Sequence, residues 1–429
     1  MTTESPASWR QLWYLPLLAI AMTATMLRVL VMARLLDVPS FGQYSAGLLV
    51  ASLFGMLGCL GLYALLQRDM PMHFARGCSR RAMVLMGQCV GLTCIYGSLL
   101  MLTTNLPVTV AGLHGAVLAI ALFNGFSQQL FLIATVESRS HGEPVRFAMQ
   151  NLLRSLPLVA AGSLVAVLTG SPGWTLFVEA LVSLIFATAI YMKALHRAKM
   201  GMVLLAYAAW RGWRNIPWAS ALPLLGISIV VTTLTLLDRW LGAELLQAEA
   251  FAQYAFAAIV VLIAQALQSM INALAYPSLA RRFALSGSTQ AFRLAAGLSL
   301  GLLALSAMAS LPLYLAAEWA VEHWYEDYQQ AIDLLPIMLA VAALRIADFW
   351  SSYATIAGKE RRLLLFNLAG GLVSCIVWVS ALFLGNDETL RSENFAWLAL
   401  LLAFGLHATS AAVAQIARQR ANSAIASNT

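Results

Sequence analysis

Charge is what this sequence has least of. Only 10% of its residues are Asp, Glu, Lys or Arg, against about 25% in a soluble domain, while 61% are hydrophobic. A core of 429 residues cannot absorb that much apolar sequence, so most of it must face lipid. Cysteine is scarce too. Cys59, Cys89, Cys94 and Cys375 lie in apolar stretches and Cys78 in a basic one, which excludes a disulfide framework and a metal site. A Gly-rich phosphate loop, a Ser–His–acid arrangement and a metal-ligand cluster are all missing. Direct ATP use is therefore not expected, and no cofactor is. The connections on the acidic side are short, leaving no room for an extramembrane catalytic domain, so the chain is not read as an enzyme.

What is present is a series of continuous apolar runs, each near the roughly 20 residues that cross a bilayer as a helix. They fall at 11–34, 42–67, 82–103, 107–136, 146–170, 172–195, 217–241, 250–277, 292–316, 329–356, 361–385 and 394–418. None alternates as a membrane barrel strand would. The first is too long for a signal-peptide core. The expectation is an all-α polytopic membrane protein with about twelve transmembrane helices. Most of the 26 Lys and Arg cluster in alternate connections, among them Arg68, Arg76, Arg80, Arg81, Lys193, Arg197, Lys199, Arg211 and Arg214. The opposite side carries Glu318, Glu322, Glu326 and Asp327. Basic connections stay in the cytoplasm, so both termini are expected there. The net charge of +7 reflects this bias and does not point to nucleic acid.

Two stretches echo each other. RVLVMARLLDVPSFGQY runs from Arg28 to Tyr44, and DRWLGAELLQAEAFAQY from Asp238 to Tyr254. FGQY at 41–44 matches FAQY at 251–254, and Arg28 corresponds to Asp238. In the first copy Pro39 fixes a turn and Ser40 is placed to cap the next helix. The echo implies two six-helix bundles, at 1–196 and 217–418. An interfacial cytoplasmic linker rich in Trp and Arg joins them at 197–216, and a cytoplasmic tail follows at 419–429. Six helices per half make a parallel repeat of the kind found in several transporter classes. Gly55, Gly58 and Gly61 allow close helix contact in the second span.

Charges inside a bilayer are costly and usually face a bundle interior or a wet cavity. Arg28, Arg154 and Arg345 form a candidate set for binding an anionic headgroup. Arginine donates paired hydrogen bonds to phosphate and stays charged. The bland alternative is structural, with Arg345 pairing to Asp348 three residues on. Asp348, Glu179 and His407 are candidates for proton coupling, or else counter-ions and a packed core histidine. Asp238 and Arg239 sit near the end of their span, where a surface ion pair is the alternative. Gln128, Gln265, Gln268 and Asn272 either meet sugar hydroxyls or hydrogen-bond between helices.

The mid-helix arginine, ARLL and the Pro-x-FGQYS turn resemble the start of Wzx-type polysaccharide flippases of the multidrug/oligosaccharidyl-lipid/polysaccharide (MOP) exporter superfamily. The Asp238–Arg239 pair, the Tyr254 turn and IAGKERRLLLFNL at 356–368 resemble later parts of that family. The resemblance implies a MATE-like pair of bundles around a central cavity in the bacterial inner membrane. It implies transport of an undecaprenyl-pyrophosphate-linked oligosaccharide for O-antigen or exopolysaccharide synthesis, with Arg28 and then Arg154 and Arg345 meeting the pyrophosphate. Membrane lipids and a polysaccharide polymerase are the partners it suggests. An ion-coupled multidrug exporter of the same superfamily, or a membrane polysaccharide polymerase or ligase, are the alternatives. Three intramembrane arginines against two acids favour an anionic substrate.

Overall fold

The computed structural model describes residues 13–384 and 391–426. The N-terminal tail and the last three residues of the 419–429 tail lie outside them. The described residues are helical with no strand, and eleven of the helices are long and apolar enough to cross a membrane. The protein is a multi-pass helical membrane protein. Lipid accounts for this uniformity: a helix satisfies its own backbone polar groups where no water is available.

The chain forms two compact units, Met1–Ile229 and Val230–Thr429. The first contains α1 (Tyr14–Leu35), α2 (Val38–Leu57), α3 (Leu62–Ala75), α4 (Ser79–Thr103), α5 (Gly115–Ser140), α6 (Pro144–Thr169), α7 (Pro172–Arg197) and the short α8 (Met202–Arg211). Helix α9 (Trp218–Leu245) spans the division. The second unit holds α10 (Ala248–Ala257), α11 (Ile259–Trp324), α12 (Gln329–Ile346), α13 (Trp350–Ile356), α14 (Glu360–Leu384) and α15 (Ser392–Ala426).

In the first unit α5 packs on α7 and α2, and α1 packs on α6. Helix α2 begins at Val38 with Asp37 as its N-cap, so Ser40 lies inside the first turn and is not the cap. The expected second span does not run straight through. Gly58, Cys59, Leu60 and Gly61 all take positive φ, a left-handed turn that separates α2 from α3. Two of the four positions are glycine, which adopts this conformation without steric cost. Gly61 serves a second purpose, because a Cβ there would overlap the Ala221 carbonyl oxygen at the start of α9. Helix α3 continues to Ala75, into what the sequence suggests is a basic loop.

In the second unit α11 and α15 pack on α12 and on α13, and α14 packs on α15. The two spans expected at 250–277 and 292–316 are present as two helices that meet at a kink within Ile259–Trp324, written together as α11. Its one non-helical residue is Gly287, at φ 82° and ψ 172°. The span expected at 329–356 is divided instead. Helix α12 stops at Ile346, three residues leave the helical path, and α13 resumes at Trp350.

Candidate functional site

Each unit carries its own buried polar cluster. In the first unit the apolar faces of α1, α2, α6 and α7 bring together residues that the sequence separates by more than a hundred positions. Arg28 is 8% exposed and Glu179 is fully buried. Arg28 Nη1 donates to Glu179 Oε2 at 3.1 Å. The Tyr44 hydroxyl donates to the other carboxylate oxygen at 2.8 Å. Arg154 lies within Coulombic reach of both Arg28 and Glu179. Its Nη1 donates to Ser183 Oγ at 3.4 Å, and its guanidinium sits 4.2 Å from the centre of the Phe131 ring. Nearby, the Thr25 and Ser155 hydroxyls are 3.0 Å apart.

The carboxylate therefore pairs with Arg28, while Arg154 is held by a hydroxyl and a ring. The Nε atoms of Arg28 and Arg154 are buried without a hydrogen-bond partner. Formally the cluster is one positive charge in excess, with donors to spare, in a place where an uncompensated charge is expensive. Glu179 forms an ion pair with Arg28. Gln128 is turned to Asn124, donating to its Oδ1 at 2.9 Å.

In the second unit the break between α12 and α13 gathers most of the polar residues singled out by sequence. Local backbone bonds persist through the break, with the Ala347 N–H donating to the Ala343 carbonyl and the Phe349 N–H to the Ala347 carbonyl, and side chains of α11 add to them. Gln268 Nε2 donates to the Asp348 carbonyl at 3.3 Å, and the Phe349 N–H donates to Ser299 Oγ at 3.2 Å. Asn272 Oδ1 accepts from Ser352 at 2.9 Å. Trp350 Nε1 donates to His407 Nε2 at 3.3 Å, which places the imidazole proton on Nδ1, an atom buried without a partner. Gln265 Nε2 is likewise buried and unpartnered.

Two readings change here. Arg345 and Asp348 make no ion pair with each other, although three residues separate them. The helix ends between them, and the Asp348 carboxylate instead accepts from the Ser351 N–H at 3.4 Å. Asp238 is not a surface residue either. It is 5% exposed, because α9 continues to Leu245, and the Tyr254 hydroxyl donates to its Oδ2.

The last two contacts explain the repeat. Tyr44 and Tyr254 are both fully buried, and each donates to a buried carboxylate. The sequence marks both tyrosines as repeat residues but gives neither a partner. In the first unit the acid comes from α7, and in the second from α9, so no spacing rule links the pairs.

No family model and no curated protein matches the chain. Its fold does match solved structures across almost their whole length. An inward-facing multidrug resistance MATE family transporter of the MOP superfamily aligns with TM-score 0.58 and 11% identity, over 95% of this chain and 98% of its own. The Vibrio cholerae MATE transporter VcmN in its bent form gives TM-score 0.59 and 14% identity, over 96% of this chain and 97% of its own. The eukaryotic MATE transporter AtDTX14 gives 0.54 and 13%, over 96% and 98%. At these identities the likeness is one of fold.

Proposed function

We propose that this protein is a flippase for a polyprenyl-pyrophosphate-linked oligosaccharide, working by alternating access in a bacterial inner membrane. The observation that carries the reading is the first-unit cluster, where Glu179 pairs with Arg28 and the buried Arg154 has no ion pair among the described residues. A diphosphate would supply the missing negative charge. Arg154 is the first contact, since only a hydroxyl and a ring hold it. Arg28 follows through the donor that Glu179 leaves unused. Glu179 keeps Arg28 in place between cycles and weakens its hold on substrate, which favours release. Nothing covalent happens. Net flow follows from consumption of the substrate on the far side or from a coupled ion.

A second reading is a cation-coupled multidrug exporter, favoured by the names of the structural neighbours. An organic cation would be drawn to acids or aromatic faces. Asp238 and Asp348 in the second unit are the residues that would serve it.

Proteoliposomes with a fluorescent lipid-linked oligosaccharide separate the two. The flippase reading expects leaflet exchange in the wild type and loss of at least about tenfold in Arg154→Ala, the order expected when a charge-assisted hydrogen bond to substrate is removed. Arg154→Lys should keep part of the activity, because charge survives while the planar fork does not. Exchange unchanged in Arg154→Ala, with uptake of organic cations that depends on Asp348, would transfer the assignment to the exporter.

A further inference from the structure

The first unit holds a groove of 1020 Å³ that the transport reading does not use. Its walls are apolar, with Leu17 on α1, Met149 and Leu153 on α6, and Phe186 on α7. Its rim is polar and lies where α1 and α6 begin and α7 ends, on the side where the chain's basic residues gather. Met149 is 39% and Leu153 51% exposed, as hydrocarbon-facing side chains would be. Trp13 is also on the rim, a residue type that settles at the headgroup level.

The rim charges decide what fits. Arg146 is held by Glu143 at 2.7 Å and by Glu137 at 2.9 Å. Arg197 reaches Glu143 at 3.2 Å and Glu137 at 3.8 Å. These two arginines and two glutamates cancel. Lys193 remains, exposed on the rim and without an ion pair among the described residues. One free cation above an apolar trough is complementary to one phosphodiester with a hydrocarbon chain. A diphosphate would call for more charge.

We propose that this groove seats one anionic phospholipid of the adjoining leaflet, with its phosphate at Lys193 and an acyl chain along Leu153 and Phe186. The proposal does not depend on what is transported. The negatively charged inner leaflet supplies such a lipid wherever basic residues meet the membrane.

Native mass spectrometry of the full-length protein from nanodiscs containing equal phosphatidylglycerol and phosphatidylcholine tests this. The wild type should keep one phosphatidylglycerol in preference to phosphatidylcholine. Lys193→Gln should weaken that preference about fivefold, the worth of one basic residue at an anionic surface. Leu153→Trp, which fills the trough, should abolish retention; Met149→Trp is the substitute if that variant melts early. Equal retention of both lipids by the wild type would overturn the proposal. So would retention unchanged in Lys193→Gln and in the groove-filling variant. Displacement of phosphatidylglycerol by undecaprenyl phosphate, one for one, would also overturn it and make the groove a substrate entrance.

Discussion

At the scale of single residues, the informative feature is how the buried charges are shared. Glu179 stabilises Arg28 with an ion pair and accepts from Tyr44 on its second oxygen. Removing the acid alone leaves two arginines buried against nothing, so Glu179→Leu should destabilise the protein by about 3–5 kcal/mol. Arg28→Leu together with Glu179→Leu should recover most of that loss, because an apolar pair can replace a buried ion pair at little cost. Thermal unfolding in detergent checks both, and a double variant as weak as the single one would mean the pair acts mainly through something other than charge. Outside the membrane spans, the hydrogen bond from Arg146, with help from Arg197, holds the Glu143 carboxyl below its ordinary value of 4.5. A depressed carboxylate contributes stability that is complete above its unfolded value and is lost as pH falls through the folded one. Stability should therefore decline below about pH 4.5, and Glu143→Gln should flatten that decline while lowering stability at neutral pH. Melting curves at neutral and acid pH, with and without the substitution, measure the difference. Arg28 was visible in the sequence as a charge in an apolar run. Its partner was not, since Glu179 lies on another helix and nothing local couples them.

At the scale of elements, the helices follow from hydropathy and their interruptions do not. The break after Ile346 contains no proline or glycine: the sequence there reads Arg-Ile-Ala-Asp-Phe-Trp. Gln268 and Ser299 of α11 support the break, the first donating to the Asp348 carbonyl and the second accepting from the Phe349 N–H. Such help comes from tertiary contacts and leaves no local signal. Ser299→Ala should leave the Phe349 N–H with the Ala347 carbonyl alone and cost about 0.5–1.5 kcal/mol, whereas Ser306→Ala, on the same helix, should cost little. The left-handed turn at 58–61 was half legible. Gly58 and Gly61 stood out as small residues, but their value lies in backbone conformation and not only in close contact. Two glycines separate these effects. At Gly287 a Cβ meets open space, so alanine there carries only conformational strain of about 1–3 kcal/mol. At Gly61 alanine adds the overlap with Ala221 and should be the more damaging of the two. Denaturation of the two alanine variants side by side gives the ranking, and equal losses would mean that α9 shifts to make room.

At the scale of the whole molecule, the side of the membrane on which each connection lies depends on whether α12 and α13 make one crossing. Helix α12 has 18 residues, about 27 Å at 1.5 Å per residue, close to the roughly 30 Å of a hydrocarbon core. The break would allow α13 to turn back against α12 as a hairpin that returns to the side it entered from. The charges argue for a single crossing. Asp327 and Glu326 precede α12, on the side where acids collect, and Lys359, Arg361 and Arg362 follow α13 in a basic cluster that should stay cytoplasmic. Both pieces also pack on α15, as one divided helix would and as a hairpin returning to its own side would not require. In a variant with the five native cysteines replaced, Asp327→Cys should react with a membrane-impermeant maleimide added outside intact cells. Lys359→Cys should react only after the membrane is opened. Labelling of both from outside would mean that α12 and α13 form a hairpin that returns to the outer side, place α14 and α15 in the opposite orientation, and end the expectation that the C-terminus is cytoplasmic.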